Sequence, residues 1–209
     1  MADPHARPNI TAAQALERLK AGNQRFLAGK AKFPTVQKEV LADLAKGQAP
    51  YATILGCSDS RVPPELVFDA GFGELFIIRV AGNVLGPTIA GTLQYAGSHL
   101  HTPLFVVMGH EGCGAVKAAL ASKFEGAEHG SRIEILLDNI VPALDGLDPT
   151  QTLDQLMHAA VEANVRWTLR QLHDSPEGRA ALARNEIRLV GAIYELDSGR
   201  VRFLDDPAG

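Results

Sequence analysis

The chain has 209 residues, 46% of them hydrophobic, enough to bury one sizeable core. Its formal net charge of −4 excludes the strongly basic surface that a nucleic-acid partner requires. No stretch approaches the ~20 apolar residues of a membrane span, and Met1 to Pro8 contains no apolar signal region, so the expectation is a cytoplasmic protein with no membrane partner.

Residues 1 to 10 read as a loose arm. Thr11-Ala12-Ala13-Gln14 then forms a capping box, and Leu16, Leu19, Phe26 and Leu27 recur at helical spacing. The basic cluster from Lys20 to Lys32 reads as a solvated helix face. A second helical run holds Val40, Leu41 and Leu44 and ends at Gly47. Neither helix hides its apolar face alone, so both are expected to pack on a neighbouring subunit. Strand-like runs follow at Tyr51 to Leu55, Glu74 to Val80, Leu104 to Met108 and Ile187 to Tyr194, separated by helical segments. That alternation predicts an α/β fold with a mostly parallel sheet.

The first crossover contains a short helix at Pro63-Pro64-Glu65-Leu66-Val67-Phe68. The second opens with Pro87 as its first helical residue and carries Ile89, Leu93, Ala96 and Leu100 on one face. Val116, Ala119 and Leu120 continue in helical register after Cys113. Later helices are predicted from capping boxes at Ser131 to Glu134 and Thr152 to Gln155, and from Ser175-Pro176. Asp197-Ser198-Gly199 predicts a hairpin into an antiparallel edge strand, Val201 to Leu204. The whole is expected to be one domain: a helical arm at 1–47, a core at 48–125, and C-terminal helices and last strands at 126–209.

Two stretches stop apolar runs and hold both cysteines: Gly56-Cys57-Ser58-Asp59-Ser60-Arg61 and Gly109-His110-Glu111-Gly112-Cys113-Gly114. Cys57, His110 and Cys113 make a Cys2His zinc set, which leaves a fourth tetrahedral position open, as a catalytic site needs. Cys57 follows the first strand, and His110 and Cys113 follow the third. For one ion to reach all three through bonds of ~2.0 to 2.3 Å, those strands must be neighbours. Right-handed crossovers then give the order 2-1-3-4 with the final strand at an edge, and they put the ion where the strand order reverses.

Asp59 and Arg61, two residues apart, can aim into the same crevice. Paired with Arg61, Asp59 stays ionised and only accepts hydrogen bonds, so it would orient a nucleophile beside the metal, or swing onto the metal as an off state. Taken singly, each residue has an ordinary reading. A cysteine at a strand end is usually a small buried apolar residue, a lone histidine is simply hydrogen-bonded, and Asp59 with Arg61 is a turn salt bridge. His5, His99, His101, His129, His158 and His173 are placed in that class, with His99 and His101 as candidates to pass protons. The joint occurrence at the ends of adjacent strands favours the metal.

Cys57-Ser58-Asp59-Ser60-Arg61 and His110-Glu111-Gly112-Cys113 resemble the two motifs of the β-class carbonic anhydrases, and the resemblance runs from about Gly22 to Leu120. It implies zinc on Cys57, His110 and Cys113, one ion per chain, and a catalytic dyad of Asp59 and Arg61. It also implies a small substrate pocket formed by Gln48, Phe76, Tyr95 and Gly114 at a dimer interface, hence a homodimer or a dimer of dimers. Members regulated by bicarbonate carry tryptophan three residues before the first zinc cysteine. Ile54 stands there in this chain, which implies the simpler form with an open zinc position.

The leading expectation is reversible hydration of CO2 to bicarbonate by zinc-bound hydroxide, with activity rising through roughly pH 7 to 9 because two thiolates offset the charge of the ion. A second keeps the zinc and hydrolyses carbonyl sulfide or carbon disulfide. A third, a redox or zinc-storage protein, has no catalysis. A nucleotide-binding domain is excluded, since no G-x-G-x-x-G or Walker loop follows any strand.

Overall fold

A computed structural model describes residues 9–32, 41–42 and 44–205. The arm expected at residues 1 to 10 therefore falls almost wholly outside the described residues, as does Val40 of the second helical run; Gly47 does close a turn there, donating to the Leu44 carbonyl (3.2 Å). Helix α1 (Ala12–Leu27) starts at the Thr11 capping box, with Thr11 and Gln14 bonded reciprocally. The strands are β1 (Ala52–Gly56), β2 (Leu75–Arg79), β3 (Leu104–His110), β4 (Arg188–Tyr194) and β5 (Val201–Phe203). They form one sheet of order β2-β1-β3-β4-β5, parallel except for β5, which pairs antiparallel with β4 through the predicted hairpin.

β1 and β3 are buried along their whole length, as expected for central strands covered on both faces. The short α2 (Pro64–Val67) and α3 (Pro87–Ser98) follow β1 and β2, each with proline in its first turn. After β3 come α4 (Gly114–Glu125), α5 (Ser131–Leu137), α6 (Leu153–Asp174) and α7 (Pro176–Ala183). α6 begins at the Thr152 capping box, and Ser175 caps α7 by accepting from the Gly178 N–H (3.0 Å).

Two expectations are corrected. The Ser131 capping box does not form: Gly130 is the N-cap, Ser131 is already helical, and the Glu134 carboxylate reaches past the cap to the His129 N–H (2.6 Å). The basic cluster is not wholly solvated. Lys20 pairs with Glu17 at the surface, but Arg25 donates to the buried Asp69 carboxylate (2.5 Å), which also accepts from the Lys32 N–H (2.7 Å). The apolar face of α1 is covered in part by its own chain, while Leu27 on that face stays 36% exposed. The helix buries Ala15, Leu16 and Leu19 in the core of its own chain. Asn23 bolts it there, donating to the carbonyls of Val67 (3.2 Å) and Gly199 (3.0 Å) and accepting from the Val201 N–H (3.0 Å).

Asn23→Ala would leave two buried carbonyls and one N–H without partners, so it should cost about 3 kcal/mol. For a chain of this length that is roughly 6 to 12 °C in Tm, measurable by calorimetry. An unchanged Tm would show that α1 is not held by this residue.

Candidate metal centre

The parallel register aligns Gly56 of β1 with Met108 of β3. The next residue of β1's run is Cys57, and His110 ends β3 rather than following it, as the shorter strand expected from sequence had it. Gly112, at φ +60°, takes the left-handed conformation that turns the chain back on itself. Cys113 thereby becomes the N-cap of α4. One ligand atom each from Cys57, His110 and Cys113 lies within 4.8 Å of the others, and all three residues are buried.

The two sulfurs are 4.0 Å apart and unbonded. Tetrahedral bonds of ~2.3 Å would set them about 3.8 Å apart, so a zinc-sized ion needs only a small contraction. His110 donates from Nδ1 to the Glu111 carbonyl (2.8 Å), which leaves the Nε2 lone pair facing the sulfurs. That Nε2 is buried without a hydrogen-bond partner. A buried imidazole nitrogen with no partner, beside two sulfurs, is the donor chemistry of a Cys2His metal site with one position open.

The Cys113 thiol, with the Gly82 N–H beside it (3.4 Å), holds the Cys57 thiol well below the usual thiol range, while the hydrogen bond to Cys57 and burial push the Cys113 thiol upward. A divalent ion held between them would let both stay deprotonated. Cys113 is prepared for that by the N–H groups of Ala115 and Val116 at the helix N-terminus, which favour the thiolate.

Beside the sulfurs, Arg61 grips Asp59 bidentately, Nε to Oδ1 at 2.9 Å and Nη2 to Oδ2 at 2.7 Å, and its own backbone N–H adds a third bond to Oδ1 (3.0 Å). These bonds hold the Asp59 carboxyl well below the usual carboxylate range. Asp59 Oδ2 lies 3.8 Å from His110 Nε2, so an obligate acceptor borders the open side of the ligand set.

Comparison with known proteins then decides the family. The sequence model of the family described as "Carbonic anhydrase" matches residues 52–201. The chain belongs to the carbonic anhydrase family. It is 36% identical over 200 residues to carbonic anhydrase 2 of Mycobacterium tuberculosis, covering 95% of each chain. It is also 36% identical over 197 residues to the carbonic anhydrase of Mycolicibacterium smegmatis, covering 94% of this chain and 95% of the other. The β-carbonic anhydrase CcaA superposes with a TM-score of 0.70 at 28% identity, over 91% of this chain and 95% of that one. A Coccomyxa β-carbonic anhydrase solved with acetazolamide gives 0.71 at 28% identity, over 78% and 75%. The fold and motif resemblance is thus to the β-class of carbonic anhydrases.

Of the residues expected to shape a carbonic anhydrase pocket, Phe76 on β2 and Tyr95 on α3 come together, with ring centroids 6.2 Å apart. Tyr95 is 40% exposed and stacks on His99 (4.9 Å). Gly114 opens α4 directly after Cys113, and Gln48 is exposed in the segment leading to β1. Ile54 is fully buried in β1 between Ile77 and Val106.

Sequence reasoning missed two contributors. Arg79 donates to the carbonyls of Cys57 (3.0 Å) and Asp59 (2.5 Å), tying down the loop after β1. A charge ending the apolar run of β2, level with Gly56 in the parallel register, was the available signal. Gly82, which donates to the Cys57 sulfur, sits in a 3₁₀ turn (Ala81–Asn83) that no sequence pattern marks.

The donor set predicts that full-length Cys57→Ser, His110→Ala and Cys113→Ser each purify nearly metal-free, while the parent carries about one zinc per chain. Elemental analysis after dialysis checks this. Parental zinc in any of the three would remove that residue from the ligand set.

Proposed function

We propose that this chain is a zinc-dependent β-class carbonic anhydrase, which interconverts CO2 and bicarbonate, and that Cys57, His110 and Cys113 hold the ion. The observation that carries the reading is the unpartnered His110 Nε2 facing two sulfurs 4.0 Å apart, with Asp59 beside it. When bound, zinc supplies the positive charge that makes water a nucleophile near neutral pH.

The chain's own residues supply orientation. Asp59, kept ionised by Arg61, has no proton to give and accepts the hydrogen bond of the attacking water at Oδ2, which turns the oxygen lone pair toward the substrate. Arg61 fixes the carboxylate plane and is itself anchored toward the Gly112 carbonyl (3.5 Å), so the dyad spans both motif loops. Gln48, Phe76, Tyr95 and Gly114 form the pocket for a small linear substrate. The Phe76 and Tyr95 rings supply apolar walls suited to a molecule without a dipole.

A homodimer or a dimer of dimers is supported by the edge strand β2, where Leu75, Phe76 and Ile77 are only half-buried beside exposed Tyr95, with Phe72 64% exposed in the preceding loop. An assembly would cover these residues and close the pocket. A cytoplasmic location agrees with two cysteines that are free and unpaired.

Stopped-flow CO2 hydration with a pH indicator, run beside zinc analysis, tests the activity. Fast turnover by zinc-loaded protein is expected. Slow CO2 turnover with sulfide released from carbonyl sulfide would reassign the substrate, and a zinc-free parent would remove the metal. Asp59→Asn should keep its zinc yet lose about 10²-fold or more in kcat, because an amide can offer a donor where an acceptor is required. Parental kcat in that variant would refute the role given to Asp59.

A further inference from the structure

The long helix α6 lies outside both motif stretches, yet it carries buried polar residues on the face toward the metal centre. Asn164 and Thr168 are each 1% exposed and stand four residues apart, hence on one side of the helix. Asn164 Nδ2 donates to the Gly82 carbonyl (2.8 Å), and the Thr168 hydroxyl donates to the Asn83 carbonyl (3.3 Å). Both acceptors belong to the 3₁₀ turn whose Gly82 N–H points at the Cys57 sulfur (3.4 Å).

That turn does not hold its shape by itself. Gly82 (φ +68°) and Asn83 (φ +44°) are consecutive left-handed residues, a conformation that a residue with a side chain, such as Asn83, keeps only where surrounding contacts hold it. A side chain at position 82 would also be crowded, since its Cβ would lie 2.7 Å from Ile140 Cδ1 and 3.2 Å from Ala115 Cβ. The amide of Asn164 is set by chemistry: the Gly82 carbonyl only accepts, so the nitrogen must face it. Its Oδ1 is then buried without a partner, a desolvation penalty that a leucine would not incur. An asparagine at this core position is thus explained by the bond it makes, not by packing. The same helix reaches the other ligand strand. A Cβ on Gly109, next to His110, would lie 2.7 Å from Val165 Cγ2.

We propose that Asn164 and Thr168 are positioning residues of the metal centre, locking the Gly82-Asn83 turn so that the Gly82 N–H stays aimed at the Cys57 sulfur. The N–H withdraws electron density from the thiolate and fixes its direction, so the clamp sets metal affinity and the electronic character of one ligand. The inference rests on Cys57 being a metal ligand, as proposed above.

The test uses the full-length chain with zinc and, separately, with cobalt(II) as a spectroscopic probe. Asn164→Leu and Thr168→Val are compared with Thr168→Ser, which keeps the hydroxyl, and with Leu169→Ala, which removes core volume from the same helix without touching the turn. Zinc affinity, read by competition with a chromophoric chelator, should fall about 10- to 100-fold in Asn164→Leu and Thr168→Val. Their sulfur-to-cobalt charge-transfer band should move to longer wavelength, since the sulfur becomes more electron-rich. Thr168→Ser should restore the parental affinity and band, and Leu169→Ala should lower Tm while leaving both alone. Thr168→Val removes only one hydroxyl at constant shape, so it carries the test even if Asn164→Leu does not fold. If Thr168→Val loses Tm but keeps the parental affinity and band, the two residues are structural only and the proposal fails. A parent that takes up no metal would instead overturn the metal site itself.

Discussion

The parallel pairing of β1 with β3 is the constraint on which the centre depends. Ile54, Leu55, Val106 and Val107 are almost wholly buried in the middle of that pairing, so its register is fixed by core packing on both faces of the sheet. A slip of one residue would exchange the two faces of a strand and swing Cys57 away from His110. The ligands meet because the hydrophobic core admits one alignment of the strands that carry them. Bonds to a metal would then act on a geometry that apolar burial has already chosen.

Each ligand is further held from behind by main-chain groups, and in three different ways. His110 is oriented by its Nδ1 bond to the Glu111 carbonyl, Cys57 receives the Gly82 N–H, and Cys113 sits at the N-terminus of α4. Peptide groups are well suited to this task because they cannot change protonation and are positioned by secondary structure. The price is conformational: Gly112 and the Gly82-Asn83 turn are left-handed, and Asn83 is not glycine. Such strain persists only where surrounding contacts over-determine it, and α6 supplies those contacts.

The strand order and the convergence of Cys57, His110 and Cys113 were legible because two different signals agreed. Apolar runs placed the strand ends, and ligand chemistry required those ends to be neighbours. Thr11, Thr152 and Ser175 were legible as caps because their bonds are local. What escaped was non-local. Nothing along the chain ties Asn164 to Gly82, 82 residues away, or Asn23 to Gly199, 176 residues away. Arg25 read as one more surface charge until the fold brought Asp69 to it. The Ser131 box failed because a glycine one residue earlier could start the helix, leaving Glu134 free to reach the His129 N–H instead.

The charges at the site also fit the chemistry of a substrate and product that differ in charge. In the proposed zinc-loaded state, the thiolates of Cys57 and Cys113 offset the ion, and Arg61 offsets Asp59 in a bidentate pair. The immediate site is thus close to neutral, although all its members but the His110 imidazole are charged. A strongly positive centre would bind the bicarbonate product tightly and slow its release; a negative one would repel it in the reverse direction. Near-neutrality leaves CO2 to be bound by apolar contact and bicarbonate to be held only weakly, as a reversible reaction requires. In that state Cys57 and Cys113 would determine more than whether metal binds: by taking up its charge they would set how firmly the anion is kept, and Arg61 would keep Asp59 from upsetting that balance.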